Sequence, residues 1–261
     1  GIHVNGTEYG ETHTTCPECS SSRKKKNHKC LSVNVTEEVW TCHHCGWTGS
    51  LSNGNGNGAT CKATSSIPKP SKKPVFEYSS NLPKNVCRFL VDERCIPENV
   101  LKRNKVCSEN GAILFPYIKD GECVNIKYRT LDKKFWQSGG TEKIVYGYDD
   151  IEKDCLIWVE GEMDKLAIEA AGFKSCVSVP DGASPVDAKN YTTKFEFLEN
   201  CESKLLDVGN HVLAVDNDGP GDGLQKELAR RLGIEKCKLV AWPGGCKDAN
   251  DVLIKHGEKT L

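Results

Sequence analysis

Beyond residue 153 the sequence alternates short apolar runs with helix-forming stretches, a pattern that predicts parallel βαβ units. The first expected strand, residues 155–159 (CLIWV), runs directly into Glu160-Gly161-Glu162-Met163-Asp164, with a helix to about residue 171. A second strand over 175–179 leads into Pro180-Asp181-Gly182-Ala183-Ser184. A third, over 211–215, leads into Asp216-Asn217-Asp218-Gly219-Pro220-Gly221 and a helix at 224–232. A fourth, over 238–242, precedes Lys247-Asp248-Ala249-Asn250. Parallel strands deliver the loops at their carboxyl ends to one edge of the sheet, where open α/β folds bind ligands. Glu160, Asp216, Asp218 and Asp248 are therefore expected to converge. Carboxylates brought together repel unless cations lie among them, and Mg2+ takes one or two carboxylates plus water and phosphate oxygens. The implied chemistry is Mg2+-assisted phosphoryl transfer. Turns and helix caps account for any one acidic cluster, but not for a cluster at the end of every strand.

The first fifty residues carry a second constraint. Cys16-Pro17-Glu18-Cys19 and Cys42-His43-His44-Cys45 form a C-x2-C…C-x2-C arrangement, so two tight turns offer four thiolates to one structural Zn2+. Residues 30–35 and 39–41 between the pairs read as strands of a β ribbon. His28, Cys30, His43 and His44 are alternative donors, with the four cysteines preferred. The basic run 23–26 with Lys29, and Trp40 and Trp47, suit phosphate tracking and base stacking; they equally suit a solvated charge run and a minimal core.

A glycine-asparagine repeat at 53–58 and a Pro/Ser/Lys stretch at 65–74 cannot build a core, so residues 51–73 are expected to be a tether. Helices are expected over 82–93 and from Pro97, followed by a hairpin of 113–119 and 123–130 across Asp120-Gly121. Lys127 and Arg129 share one face of its second strand, and Lys133 and Lys134 come soon after; together they form a candidate nucleotide or template grip. The division expected is a zinc ribbon (1–50), the tether (51–73), a basic subdomain (74–153) and a carboxylate-bearing subdomain (154–261).

Charge is distributed to match. Residues 1–73 hold 9 Lys+Arg against 5 Asp+Glu, leaving 26 against 31 for the remainder, so a basic front joins an acidic back. Fifteen cysteines, an odd number and mostly scattered, point to a reducing intracellular compartment rather than a disulfide framework. No apolar stretch approaches the ~20 residues of a membrane helix, so no membrane partner is expected. The chain opens on Gly1 and its one methionine is Met163, which suggests a piece of a longer protein.

Glu160-Gly161-x-x-Asp164 after one strand, with Asp216-x-Asp218 after another, resembles the Toprim signature of bacterial-type primases, topoisomerases and some nucleases. With the ribbon in front, the 180–184 loop and Lys247-Asp248-Ala249-Asn250, the chain resembles the primase half of phage primase-helicases and the related organellar Twinkle proteins. The resemblance implies an α/β Toprim RNA polymerase core behind a β zinc ribbon, joining ribonucleoside triphosphates into short RNA primers on single-stranded DNA. In that carry-over Glu160 assists deprotonation of the attacking 3′-hydroxyl. Asp216 and Asp218, with Glu160 and Asp248 beside them, hold two Mg2+ ions, while Lys127, Arg129, Lys133 and Lys134 grip nucleotide and template. The implied partners are a hexameric helicase, in the same polypeptide or separate, and a replicative DNA polymerase. The implied location is host cytoplasm for a phage protein, or mitochondrion or plastid for a Twinkle relative. No G-x-x-x-x-G-K-[ST] occurs, so any helicase half is expected downstream of Leu261. The rival readings are a Toprim topoisomerase or nuclease, and a non-catalytic single-stranded-DNA-binding module.

Overall fold

The computed structural model describes residues 2–4, 10–50, 71–184 and 193–261, so most of the expected tether lies outside the described residues. The chain divides into two compact units, Gly1–Pro70 and Ser71–Leu261.

In the first unit β1 (Glu11–Thr14), β2 (Leu31–Asn34), β3 (Val39–Cys42) and β4 (Thr48–Ser50) form an antiparallel sheet in chain order. β2 and β3 match expectation; the two flanking strands have no counterpart in the sequence pattern, because residues 11–14 and 48–50 are too short and polar to show alternation. The core is small. Leu31, Val33 and buried cysteines meet partly buried Trp40 and Trp47, whose rings lie 5.3 Å apart.

The second unit opens with α1 (Lys84–Cys87) behind Pro83. Its last turn widens over Arg88–Glu93, where Arg94 N donates to Phe89 O five residues back. α2 (Glu98–Arg103) succeeds Pro97, as the sequence suggests. An antiparallel sheet then runs β5 (Cys107–Glu109), β6 (Ala112–Lys119), β7 (Glu122–Thr130), β8 (Phe135–Gln137), adjacent in that order. Asp120 and Gly121 both take left-handed backbone (φ 54° and 80°), the geometry of a two-residue hairpin turn. The Asp149 carboxylate accepts from both turn amides at 2.8 and 2.9 Å.

The parallel half comprises β9 (Cys155–Val159), α3 (Glu162–Ala170), β10 (Cys176–Ser178), α4 (Glu196–Leu205), β11 (Asn210–Leu213), α5 (Gly219–Leu232), β12 (Cys237–Leu239) and α6 (Ala249–His256). Its sheet has the order β10-β9-β11-β12, with every pairing parallel. α5 begins five residues before the expected start because the Asp218 carboxylate accepts from Gly221 N at 2.9 Å and Pro220 suits the first turn. One hydrophobic core runs through the unit, from Val86 and Leu90 through Phe115 and Tyr146 to Trp158 and Leu253. Tyr146 and Ser178 exchange backbone hydrogen bonds of 3.0 and 3.1 Å between the two halves.

A buried ionic cluster pins α3 to this frame. Lys165 is fully buried, with Nζ 2.8 Å from Asp150, 2.5 Å from Glu169 and 2.5 Å from Asn104 Oδ1. Arg103 reaches the same two carboxylates at 2.5 and 2.9 Å. Removing one member of such a cluster strands its partners without water, so Lys165→Met is expected to lower the unfolding free energy by about 3 kcal/mol in denaturant titration.

His211 in β11 is buried and accepts from Trp158 Nε1 at Nδ1, 3.1 Å away. Burial, with a smaller contribution from Lys236, holds the imidazole down to about 4. The unfolded chain therefore takes up this proton first: stability is intact above the ordinary value of 6.5 and lost as pH falls from there toward 4, by up to about 3 kcal/mol. Thermal melts across that range should show the loss, and His211→Gln, which keeps an acceptor for Trp158, should flatten it.

Candidate active site and zinc centre

In the ribbon, the ligand atoms of Cys16, Cys19, Cys42 and Cys45 all lie within 4.8 Å of one another. The Cys16–Cys45 and Cys19–Cys42 sulfurs are 3.8 and 3.7 Å apart. A tetrahedral zinc with bonds of about 2.3 Å separates its sulfurs by about 3.8 Å, so the quartet fits the ion. Hydrogen bonds shared within the cluster, chiefly from Cys19, lower the Cys42 and Cys45 thiols, while burial raises Cys16 and hydrogen bonds with Cys30 and Cys42 raise Cys19. Cys30 is a fifth thiol of the cluster, buried 3.9 Å from Cys19 and 3.6 Å from Cys42, behind that edge of the quartet. Arg23, part of the run that suits either phosphate tracking or a solvated charge run, does neither: it is buried with Nη2 3.2 Å from His28 Nδ1, while Lys24, Lys25, Lys26 and Lys29 are exposed. Trp40 packs over Gly49, where an added Cβ would lie 2.3 Å from the indole. Every described cysteine is a free thiol.

The parallel sheet brings its acidic loops to one edge. Glu160 comes directly after the central strand β9, and Asp216 comes after its neighbour β11; the 180–183 loop flanks them beyond β10, and Asp248 caps α6 beyond β12. Glu160 Oε1 accepts from Ala183 N at 3.0 Å, whereas Oε2 is buried without a partner. Burial, then the charges of Asp216 and Asp218, raise the Glu160 carboxyl. Asp216 is raised mainly by burial, against the pull of Lys247. Asp218 feels some burial, but Gly221 N and Lys247 outweigh it and lower the carboxyl. Lys247 Nζ lies 2.9 Å from Asp216 Oδ2 and 3.0 Å from Asp218 Oδ2, and so offsets both charges.

Asp164 completes the Toprim signature but is not among the site residues expected from the sequence. It is buried, accepts from Asn250 N at 3.1 Å and lies in hydrogen-bond contact with Asp248; burial and these acidic neighbours raise it well above the carboxylate range. Gly221 lets α5 start against Asp216, since an added Cβ would sit 2.0 Å from the Asp216 carbonyl oxygen. Among the described residues only the cysteine quartet draws three or more candidate ligand atoms within 4.8 Å; the carboxylates are spaced more widely, with Lys247 between two of them. An all-oxygen set with one buried, unpartnered carboxylate oxygen fits a hard divalent cation that keeps water and phosphate in its shell.

A cleft of about 560 Å3 opens over Glu160, Asp164 and Asp216 and is walled opposite by Lys127, Phe135, Gln137 and Lys143. Lys127 Nζ pairs with buried Glu162 at 2.8 Å, and Tyr117 Oη donates to the same oxygen at 2.5 Å. Arg129 is buried between the Phe89 and Phe135 rings, with Nη1 unpartnered; burial and then Arg94 lower it to about 10. Lys133 and Lys134 lie exposed at the β7–β8 turn and do not line the cleft. Lys143 does line it, paired with Asp181 at 2.6 Å, and its isolated position in the sequence gives no signal for this.

Residues 154–241 match the Toprim domain family. The chain is 39% identical to the Primase homolog protein of Arabidopsis thaliana over 270 residues, covering 94% of this chain and 78% of that protein. It is 38% identical over 269 residues to the Twinkle homolog protein, chloroplastic/mitochondrial, of the same plant, spanning 37% of that longer protein's length. Among solved structures, the primase fragment of the bacteriophage T7 primase-helicase superposes with a TM-score of 0.55 at 19% identity, covering 95% of this chain and 96% of that one. The Aquifex aeolicus primase, zinc-binding and RNA polymerase domains, gives a TM-score of 0.52 at 12% identity, covering 99% and 78%. Fold and residue clusters thus define a Toprim protein of primase type with a zinc-binding cysteine cluster. The chain belongs to the Twinkle/phage-type primase family.

The quartet supplies what the small ribbon core lacks. Cys42→Ser is expected to lose zinc, measured by release to a chromogenic chelator, and to melt the β2–β3 amide protection in hydrogen exchange. Protection in residues 71–261 should be unchanged.

Proposed function

We propose that this chain is a DNA primase that joins ribonucleoside triphosphates into short RNA primers on single-stranded DNA, using Mg2+. The observation that carries this reading is the gathering of Glu160, Asp216 and Asp218, with Asp164 and Asp248, at one sheet edge beneath a cleft whose far wall holds Lys127. Family membership supports it, as do relatives whose names read primase and Twinkle. In the reaction the primer 3′-oxygen bonds to the α-phosphorus of the incoming nucleotide, and the bond to pyrophosphate breaks. Mg2+ bound here would supply Lewis-acid stabilisation of the phosphate oxygens and of the attacking oxygen. Asp216 and Asp218 are its proposed holders, with Glu160 and Asp248 beside them. Glu160, raised by burial and acidic neighbours, is placed to accept the hydroxyl proton. Lys127 on the opposite wall, paired with Glu162, and Arg129 buried two residues along the same strand are the proposed grip on triphosphate and template. Asp164, which accepts from Asn250 N, anchors the loop carrying Asp248. In this reading the ribbon selects template and the Toprim unit polymerises. A helicase and a replicative DNA polymerase are the proposed partners, and an organelle the proposed location.

With mixed-sequence single-stranded DNA, Mg2+ and labelled ribonucleotides, the wild type should yield short labelled oligomers. Asp216→Ala should reduce them at least about a hundredfold while retaining DNA binding. Cutting of supercoiled plasmid without nucleotides would support the topoisomerase or nuclease reading instead. DNA binding without synthesis, indifferent to Mg2+, would support the non-catalytic module.

A further inference from the structure

We propose that the outer side of the β7–β8 hairpin is a docking platform for the single-stranded template, with a base stacked on Trp136 and Lys133 and Lys134 set against its phosphates. The proposal rests on the primase reading and adds a surface that continues outward from the rim of the cleft, which Trp136 borders. Tyr128 and Trp136 are direct cross-strand partners, and their rings lie parallel, 2° from coplanar with centroids 5.1 Å apart. Tyr128 covers one side of the indole, yet Trp136 remains 47% exposed. A ring already backed by a second ring can receive a third without reorganising, and every base offers a π-face.

Position favours a nucleic acid strand. β8 is the last strand of its sheet, so its outer edge is open, and its successive residues point to alternate faces. Phe135 and Gln137 line the cleft and pair across from Arg129 and Lys127; Trp136, between them, also borders the cleft, while its ring stacks on Tyr128. A strand draped over this open edge meets the platform and then the cleft. The turn beside it carries Lys133, in left-handed backbone (φ 65°), and Lys134, whose amide donates to Thr130 Oγ1 at 3.0 Å. Lys134 pairs with Asp132 at 2.9 Å, but both are exposed, and such a pair yields readily to phosphate. Duplex bases are already stacked on one another, so the platform selects single strands. A protein partner would need a broad apolar surround, whereas this ring is flanked by Lys-Lys at the turn.

The test is fluorescence anisotropy of the full chain with a labelled mixed-sequence single-stranded oligonucleotide. Trp136→Ala is expected to weaken binding about tenfold, and Trp136→Phe to stay within about twofold. Trp136→Leu, which keeps an apolar cover on the edge strand, should weaken binding as alanine does. Replacing Lys133 and Lys134 together with alanine should lower the slope of log Kd against log salt by about 1.4. Wild-type affinity in both the Ala and Leu variants, or equal weakening toward blunt duplex, would overturn the platform. If the wild type makes primers while Trp136→Ala binds normally, the platform alone fails. If the wild type makes none yet depends on Trp136 for binding, the polymerase reading fails and the platform stands.

Discussion

Parallel strands leave the residues at their carboxyl ends no choice of edge, and in this chain that geometry forces carboxylates together in a partly dry setting. Everything around the site offsets the repulsion. Lys247 lies between Asp216 and Asp218, the Ala183 amide takes one Glu160 oxygen, and Asp164, its carboxyl raised by burial and by Asp248, accepts from the Asn250 amide. Even so, Glu160 Oε2 is left without a partner. A divalent cation is the simplest agent that would discharge the remainder, which is why the spacing of the acids carries more functional weight than their number.

The facing wall solves the opposite problem. Two cations from one strand, Lys127 and Arg129, are drawn under cover, and the hairpin treats them differently. Lys127 is neutralised by Glu162, itself held by Tyr117, so its position is fixed by a buried three-member network. Arg129 has two aromatic faces and no carboxylate, a setting in which a guanidinium keeps its charge but lacks hydrogen-bond partners. Glu162 and Asp164 both start on α3, and the Lys165 cluster locks that helix from behind. The helix thereby sets the register of acids and bases together.

Much of this is legible in the sequence because the period-two and βαβ patterns are local. The strands after residue 153, the Asp120-Gly121 hairpin and the cysteine quartet all arise from spacing and turn chemistry. α4 is equally written there, since Phe197, Cys201 and Leu205 repeat at four-residue intervals and are its buried face, yet it is absent from the expected elements. Lys143, its pairing with Asp181 and the Trp136 stack are not legible. Each depends on which strand lies beside which, and a sequence gives no register between β8 and its neighbour. Asp164 shows a different limit: its place in the signature is plain, but its burial against Asp248 arises only because α3 packs on α6.

The ribbon inverts the logic of the larger unit. There the apolar core exists first and the charged site is built on its rim. In the ribbon, four of the six buried core residues are cysteines, and three of those are ligands of the proposed zinc. The same side chains thus serve as core and metal site. A sheet with so few aliphatic residues has little burial to set against chain entropy. Its stability must rise and fall with the metal, whereas residues 71–261 have a continuous core to stand on. A mutation in the ribbon can therefore unfold the ribbon alone and leave the fold of residues 71–261 intact.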